Sequence, residues 1–259
     1  MNYLEGLAVR SGEDTQHRML AEPQKFPQET HFPLAEKLLT KAAPIVLEKV
    51  VPNLEDFPGR WNPGGFMVFP LGIHEDLGSL RLHIWPAGVP RETEQGPNIH
   101  DHGWHLSSRV LAGQYADTIF ELKDVSPSDI DGLNIEKGLL RLYQTKRNAG
   151  GQDTLVTDGT IVKAISIADR QVVEGQIHHI PFGVYHKSDI PVDRLTATLV
   201  LDSPAFVGST GVLLNSDMPV IARSRREIDR SSAILAKSQL MQYGEVVLKP
   251  AQQIKIQRG

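Results

Sequence analysis

Histidine is concentrated in two parts of this sequence. Seven of its 10 histidines fall within residues 83–105 and 178–186. The first cluster reads N-I-H-D-H-G-W-H, in which His100 and His102 are separated by Asp101. On a strand, residues i and i+2 face the same side, so both imidazoles would project together toward one metal ion while Asp101 points away. Taken alone, H-x-H fits a metal site and a pair of partly exposed histidines equally well.

The second cluster contains the pattern G-x5-P-x-G-x2-H, which ends at His186. Pro181 and Gly183 predict a turn, and His186 would stand on the strand that follows it. His178 and His179 lie next to each other before the turn and would face opposite ways, so at most one points inward. We predict that neither of them binds the metal. The two clusters are distant in sequence, but a β-barrel would allow them to converge.

The elements that would position these histidines are short strands. Apolar or alternating segments separated by Gly and Pro are typical of an antiparallel sandwich or barrel. The expected strands cover residues 66–71, 80–85, 116–122, 138–145, 159–168, 171–179 and 195–201. A helix is expected over 34–51, with a kink or break at Pro44, and another over 231–242, capped by Ser231 or Ser232. The expected parts are an N-terminal arm and helix (1–65), a barrel (66–215) and a C-terminal helical extension (216–259).

The two histidine motifs together resemble those of the cupin superfamily, with Gly113 closing the hairpin after H-x-H. Within that superfamily the chain is most similar to the cysteine-dioxygenase-like thiol dioxygenases, which also lack the usual glutamate after H-x-H. The shared segments are I-H-D-H (99–102), His105, L-x-G (111–113), D-T-I-F (117–120), Leu201 and S-P-A-F (203–206). The resemblance spans roughly residues 80–206. It implies an all-β core, a cupin double-stranded β-helix with helical appendages, and His100, His102 and His186 as ligands of Fe(II).

The chain departs from these relatives at positions that matter for the substrate. Animal-type cysteine dioxygenases carry a Cys–Tyr crosslink, and Leu106 stands where their cysteine would be. Asp202 replaces the tyrosine before S-P-x-F, and Val200 replaces the histidine two residues earlier. We therefore expect a substrate other than free cysteine.

The arginine that would bind a substrate carboxylate in the relatives is also missing, since residues 68–71 contain none. Arg81 or Arg109 could supply a guanidinium from another strand. Arg81, His83 and Trp85 face the same way on the 80–85 strand, and Trp85 matches a tryptophan near the metal in the family. These three residues are candidate catalytic residues lining a pocket. The alternatives are an outer polar strand face and, for Trp85, an ordinary core position.

Two further features have both a functional and a structural interpretation. His105 is a candidate general acid or base, or a hydrogen-bond donor near the metal, but it also fits a buried structural histidine. The loop over 86–98 could cover the site as a lid, although a plain solvent-exposed loop explains its composition as well.

Composition excludes several classes of protein. The 27 basic and 31 acidic side chains give a formal net charge of −4, which argues against a nucleic-acid partner. The chain contains no cysteine, so disulfides, thiolate metal sites and cysteine nucleophiles are excluded. The N-terminal sequence lacks the pattern of a secretory signal, and no apolar run approaches membrane-spanning length. A cytoplasmic protein without a membrane partner is expected.

The resemblance implies a mononuclear Fe(II) dioxygenase that uses O₂ and a small-molecule substrate. Three imidazoles suit Zn, Ni or Mn as well. Two alternatives stay open: a metal-dependent cupin isomerase, lyase or C–C-cleaving enzyme, and a non-catalytic cupin that binds a small ligand. Cupin sheet edges can pair, so a homodimer is possible.

Overall fold

The computed structural model describes residues 9–10, 27–90, 99–126, 134, 137–147, 153–206, 209–223 and 225–256. Strands dominate this part of the chain. In order they are β1 (Val9–Arg10), β2 (Arg60–Asn62), β3 (Phe66–His74), β4 (Gly78–Trp85), β5 (Ile99–His100), β6 (Leu106–Ala112), β7 (Gln114–Asp124), β8 (Leu139–Arg147), β9 (Asp153–Val156), β10 (Ile161–Val173), β11 (Ile177–Ile180), β12 (Tyr185–Asp189), β13 (Thr196–Asp202), β14 (Gly211–Leu214), β15 (Val220–Arg223) and β16 (Arg226–Glu227). The α-helices are α1 (Gln28–Ile45) and α2 (Arg230–Ile256), and a π-helical turn (Val46–Val50) and a 3₁₀ turn (Val51–Asp56) follow α1.

The strands form two antiparallel sheets that enclose the interior. The first has the order β11-β6-β13-β4-β3-β2-β16, with β1 also paired to β3. The second has the order β10-β7-β12-β5-β14-β8-β9-β15, and β10 pairs with β8 as well as β7, which closes six of its strands into a ring. Strands that are adjacent in a sheet are often far apart in sequence, so this topology brings distant motifs together. The all-β core with helical appendages predicted from the sequence is confirmed, and the architecture is a cupin-like antiparallel barrel.

Strand β4 shows how the sequence divides the inside of the barrel from its outer core. Its residues alternate between buried and half-buried positions. Leu80, Leu82 and Ile84 are fully buried and belong to one apolar cluster with Leu39 of α1 and Leu240 of α2. Each such side chain contributes roughly 1.5–3 kcal/mol by its burial. The polar and aromatic residues between them consequently face the space between the two sheets.

Helix α1 begins earlier than expected, at Gln28 rather than residue 34. Pro27 precedes it in an extended conformation, and its carbonyl accepts hydrogen bonds from the backbone N–H groups of Thr30 and His31. Proline is compatible with a helix start because the first turn leaves N–H groups without intrahelical acceptors. At the other end, α-helical geometry stops one residue after Pro44 and continues as the π-helical turn.

Helix α2 is longer than the expected span of 231–242, and its cap is not a serine. Asp229 caps it, because its carboxylate accepts hydrogen bonds from the backbone N–H of Ser232 at 2.9 Å and from the hydroxyls of Ser231 and Ser232. These bonds lower the pKa of Asp229. The two serines expected as caps therefore donate to the cap.

The strands also depart from the expected boundaries. β10 runs without interruption through residues 161–173, with a bulge between Ser166 and Ala168, where two separate strands were expected. β2 lies before residue 66, and β15 and β16 lie after residue 215, so the sheets extend beyond the expected barrel on both sides. These short strands carry little periodicity of their own, which explains why the sequence pattern missed them. In the described part of the chain, no helix has both the length and the apolarity needed to cross a bilayer.

Helix α1 buries a histidine whose titration should affect stability. His31 is 2% exposed, and neither of its ring nitrogens has a hydrogen-bond partner among the described residues. Burial, together with the nearby rings of His105 and His179, lowers its pKa from 6.5 to about 4. Protonation is thus easier in the unfolded chain, so this site destabilises the fold as the pH falls below 6.5.

We predict that His31→Leu makes stability less sensitive to acid. From about pH 7 to about pH 5, the parent protein should lose on the order of 2 kcal/mol more unfolding free energy than the variant. Chemical denaturation at the two pH values measures this difference. The control is His74→Leu, which removes a half-exposed histidine at the end of β3. It shows how much the pH dependence of stability changes when a histidine without such burial is lost. Equal pH dependence in the parent and the His31 variant would contradict the prediction.

Candidate metal centre

The three histidines predicted as ligands converge inside the barrel. His100 ends β5, His102 follows it, and His186 lies on β12 directly opposite His100 in the strand pairing. One potential ligand nitrogen from each residue lies within 4.8 Å of those of the other two. The Nε2 atoms of His102 and His186 are 3.0 Å apart. Within the described residues, no carboxylate joins this group.

The H-x-H segment reaches this arrangement by a route that differs from the expected one. β5 ends at His100, so His102 lies beyond the strand and the alternation of a strand does not position it. Asp101 holds the segment: its backbone N–H donates to the carbonyl of Gly211 at 3.1 Å, and its carboxylate accepts the N–H of Gly211 at 2.6 Å. Gly183, in the turn of the second motif, donates its N–H to the carbonyl of His102 at 3.1 Å. The two motifs are therefore bonded directly to each other.

A buried carboxylate orients the third histidine. Asp117 on β7 is fully buried, and its Oδ1 lies 2.8 Å from Nδ1 of His186 and accepts the hydroxyl of Ser188 at 2.9 Å. Its Oδ2 is 3.1 Å from Nε2 of His178. Burial alone would raise the pKa of Asp117, but the neighbouring imidazoles of His178 and His186 outweigh this effect and hold the pKa below its usual range. The carboxylate is thus ionised and fixes His186 with a proton on Nδ1.

This arrangement fits a divalent metal ion. With Nδ1 of His186 bound to Asp117, the lone pair of its Nε2 faces His102, which is the tautomer that a metal ligand requires. Three neutral imidazoles suit iron, zinc, nickel and other late first-row metals. His178 does not join the group: its Nε2 accepts a hydrogen bond from Nη2 of Arg170 at 2.9 Å and lies 3.1 Å from Oδ2 of Asp117. His179 bonds to the hydroxyl of Ser107 at 2.9 Å.

Two connected cavities adjoin the histidines. The larger, which we call the histidine cavity, has a volume of about 380 Å³, and the smaller, the arginine pocket, about 190 Å³. They share the wall formed by Gly64, Phe66, His83, His100, His102 and Leu106. The histidine cavity extends toward Trp85, Ser108, Tyr115, Lys187, Ser188, Asp189, Ile190, Thr198 and Val200. The three histidines therefore border concave space that could hold a small molecule.

The structure places two of the candidate catalytic residues in the histidine cavity. The ring of Phe66 stacks on Trp85 at a centroid distance of 4.7 Å and also contacts His83 at 5.0 Å. Nε2 of His83 is buried without a hydrogen-bond partner among the described residues. Burial lowers the pKa of His83 to about 3, so its imidazole is neutral at physiological pH. His83 can offer a substrate one neutral donor or acceptor.

Arg81 lines the arginine pocket, but its charge is already paired. Its Nη1 lies 3.0 Å from Oδ2 of Asp202, a residue that is 2% exposed and whose Oδ1 accepts the indole N–H of Trp104 at 2.9 Å. An ion pair therefore forms part of the wall of this pocket. Val200 is an apolar wall of the histidine cavity.

His105 and Arg109 lie away from the cavities, contrary to their proposed roles. Nδ1 of His105 accepts the backbone N–H of Phe182 at 3.1 Å, and its ring packs against Phe32 of α1 and Phe206. It lines neither cavity. This placement favours the interpretation of His105 as a buried structural histidine over that of a general acid or base. Arg109 donates to the hydroxyl of Thr40 in α1 at 3.3 Å and does not supply a carboxylate clamp.

Sequence reasoning missed three residues that line or support the site. Asp117 belongs to the D-T-I-F segment, which was identified only as a segment shared with the thiol dioxygenases and not as part of the site. Arg223 and Arg225 line the arginine pocket, although neither was among the expected site residues. Strand alternation around Ile221 and Arg223 was the available clue to the inward direction of Arg223. Part of the proposed lid, residues 91–98, lies outside the described residues.

Comparison with known proteins adds little to this geometry. No family model matches the sequence, and no curated protein matches it. Among solved structures, the chain is similar to one from crystal structures of the DMSP lyases RdDddP and RnDddQII, with 16% sequence identity and a TM-score of 0.22. The match covers 56% of this chain and 51% of that one, about half its length. The topology and the three-histidine group define a cupin-type barrel whose interior suits a metal ion.

We predict that Asp117→Asn weakens metal binding by roughly 10–100-fold, because an amide no longer holds His186 in the tautomer that frees Nε2. Competition titration of zinc against a chromophoric chelator measures the affinity. Unfolding of the metal-free variant reports any general loss of stability separately. The matched control is Asp169→Asn, which removes an exposed carboxylate that accepts the hydroxyl of Thr118. Unchanged zinc affinity in the Asp117 variant would show that the carboxylate has no positioning role.

Proposed function

We propose that this protein is a mononuclear non-heme Fe(II) dioxygenase acting on a small molecule other than free cysteine. The observation that carries the proposal is a group of three histidines, without a carboxylate among the described residues, at the wall of the histidine cavity. Three neutral ligands leave the two positive charges of a divalent ion uncompensated and leave coordination positions open. Such a site favours a substrate that binds the metal through an anionic or electron-rich atom.

When bound, Fe(II) would supply the redox chemistry that joins oxygen from O₂ to the substrate. The protein's own residues would prepare the site for it. Asp117 holds His186 in the tautomer with a free Nε2. The rings of Phe66 and Trp85, with Val200 and Ile190, give the histidine cavity apolar walls that limit competing water. His83 would orient the substrate through its unpartnered Nε2 without introducing a charge.

The substrate is proposed to differ from free cysteine because β3 carries no arginine on its pocket-facing positions. Val68 of β3 lines the arginine pocket where a guanidinium would otherwise be expected. Val200 and Asp202 remove the histidine and tyrosine that accompany it in the thiol dioxygenases. Asp202 is fully engaged by Arg81 and Trp104, so its carboxylate is unsuited to replace the phenol.

The first test is the metal content of protein purified without added metal. Mass spectrometry should find iron at close to one atom per chain, because the three histidines are preorganised. His100→Ala and His186→Ala should each lose it. His179→Ala, which removes a histidine outside the group, should retain it. Absence of metal even after anaerobic loading with Fe(II) would overturn the metal site, and retention in both ligand variants would place the metal elsewhere.

The second test is oxygen uptake by the iron-loaded protein. An oxygen electrode should record consumption that depends on substrate when thiols and related small metabolites are screened, and His186→Ala should abolish it. Products carrying oxygen from ¹⁸O₂ would support a dioxygenase. A substrate that is converted at the same rate under argon would overturn the dioxygenase proposal in favour of a metal-dependent lyase or isomerase.

A further inference from the structure

The arginine pocket is lined by charged side chains in which arginines outnumber aspartates by one. Four arginines line it, together with three aspartates; these residues are Arg60, Arg81, Arg223, Arg225, Asp101, Asp153 and Asp202. Two of the arginines are paired within the pocket wall. Arg81 binds Asp202 at 3.0 Å, and Arg225 binds Oδ2 of Asp153 through Nη2 at 2.7 Å and Nε at 3.1 Å. These pairs are part of the structure and are not free to bind a ligand.

Arg223 differs from the paired arginines. It is the last residue of β15, where Ile221, two positions earlier, is buried, so both side chains face the interior. Among the described residues, no hydrogen bond or ion pair holds its guanidinium. Asp153 is its partner in the strand register, but the hydrogen bonds of that carboxylate from Arg225 are both at Oδ2, and none joins it to Arg223. Burial lowers the pKa of Arg223 and the charge of Asp153 opposes this change, yet a guanidinium stays protonated in any case.

A half-buried guanidinium without a hydrogen-bonded partner lowers the stability of the fold unless an anion pairs with it. We propose that the arginine pocket binds a carboxylate of the substrate, with Arg223 as its partner. The guanidinium presents parallel N–H donors that match a carboxylate. One unpaired guanidinium supplies one positive charge, which suits a singly charged carboxylate better than a doubly charged phosphate. This inference rests on the proposed function only in treating the carboxylate as part of a substrate.

The position of the pocket defines how such a substrate would lie. The arginine pocket and the histidine cavity share His83, His100 and His102 in their common wall. A molecule with its carboxylate at Arg223 would therefore extend past the imidazoles. Leu155 and Val212 provide apolar contacts between the two ends. The recognising residue thus comes from a strand near the C-terminus, and not from β3, Arg81 or Arg109.

Benzoate and benzamide test the proposal, because they have the same shape and differ in charge. Saturation-transfer NMR titrations of the full chain give both affinities, and they are run after dialysis against a chelator so that benzoate cannot bind a metal. We expect benzoate to bind roughly tenfold more tightly than benzamide, equivalent to about 1.4 kcal/mol. Arg223→Gln should abolish this preference and Arg223→Lys should retain part of it. Arg109→Gln, the control outside the pocket, should keep it.

Equal binding of the two probes, no binding of benzoate at millimolar concentration, or a preference that survives Arg223→Gln would each overturn the inference. Circular dichroism and thermal unfolding check that the variants fold. The metal content of Arg223→Gln separates this inference from the proposed function. Loss of the benzoate preference with iron retained supports both. A benzoate preference in a protein that never binds iron supports the carboxylate site and overturns the dioxygenase.

Discussion

The buried charge of Asp117 is the constraint on which the rest of the site depends. A carboxylate without access to water is tolerated only if donors surround it. His186 and Ser188 of the neighbouring strand β12 hydrogen-bond Oδ1. Oδ2 lies 3.6 Å from Nη2 of Arg170 on β10 and 3.1 Å from Nε2 of His178 on β11. Satisfying the carboxylate also fixes the direction of the His186 ring, so one interaction sets both the stability of the interior and the geometry of the metal ligands. Because β12 lies between β5 and β7, the same strand contacts Asp117 on one side and His100 on the other.

The apolar core lies outside this polar interior. Strand β4 directs its aliphatic residues toward α1 and α2 and its polar and aromatic residues toward the cavities. The helices therefore supply much of the burial that a filled barrel would otherwise have to provide, and the space between the sheets can remain open for a ligand. This arrangement explains how a barrel with two cavities can still possess a large apolar core between its first sheet and the helices.

The local features of the fold could be predicted from the sequence, whereas several long-range partners could not. Strand alternation, the turn at Pro181 and Gly183, and the clustering of histidines depend on neighbouring residues, so their patterns are visible in the chain itself. The role of His105 depends on a backbone group at Phe182, 77 positions away, which no local pattern reveals. The direction of Arg223 was missed for a related reason: β15 is only four residues long, and its position depends on pairing with β9.

The wall shared by the two cavities has an evolutionary consequence. A substitution at Val200 changes only the histidine cavity, and one at Leu155 changes only the arginine pocket. A substitution at Phe66 or Leu106 changes both at once. Selection can therefore adjust the end of a ligand that meets Arg223 and the portion that enters the histidine cavity almost independently, as long as the common wall is conserved. Related proteins with different ligands should diverge first in the residues that belong to a single compartment.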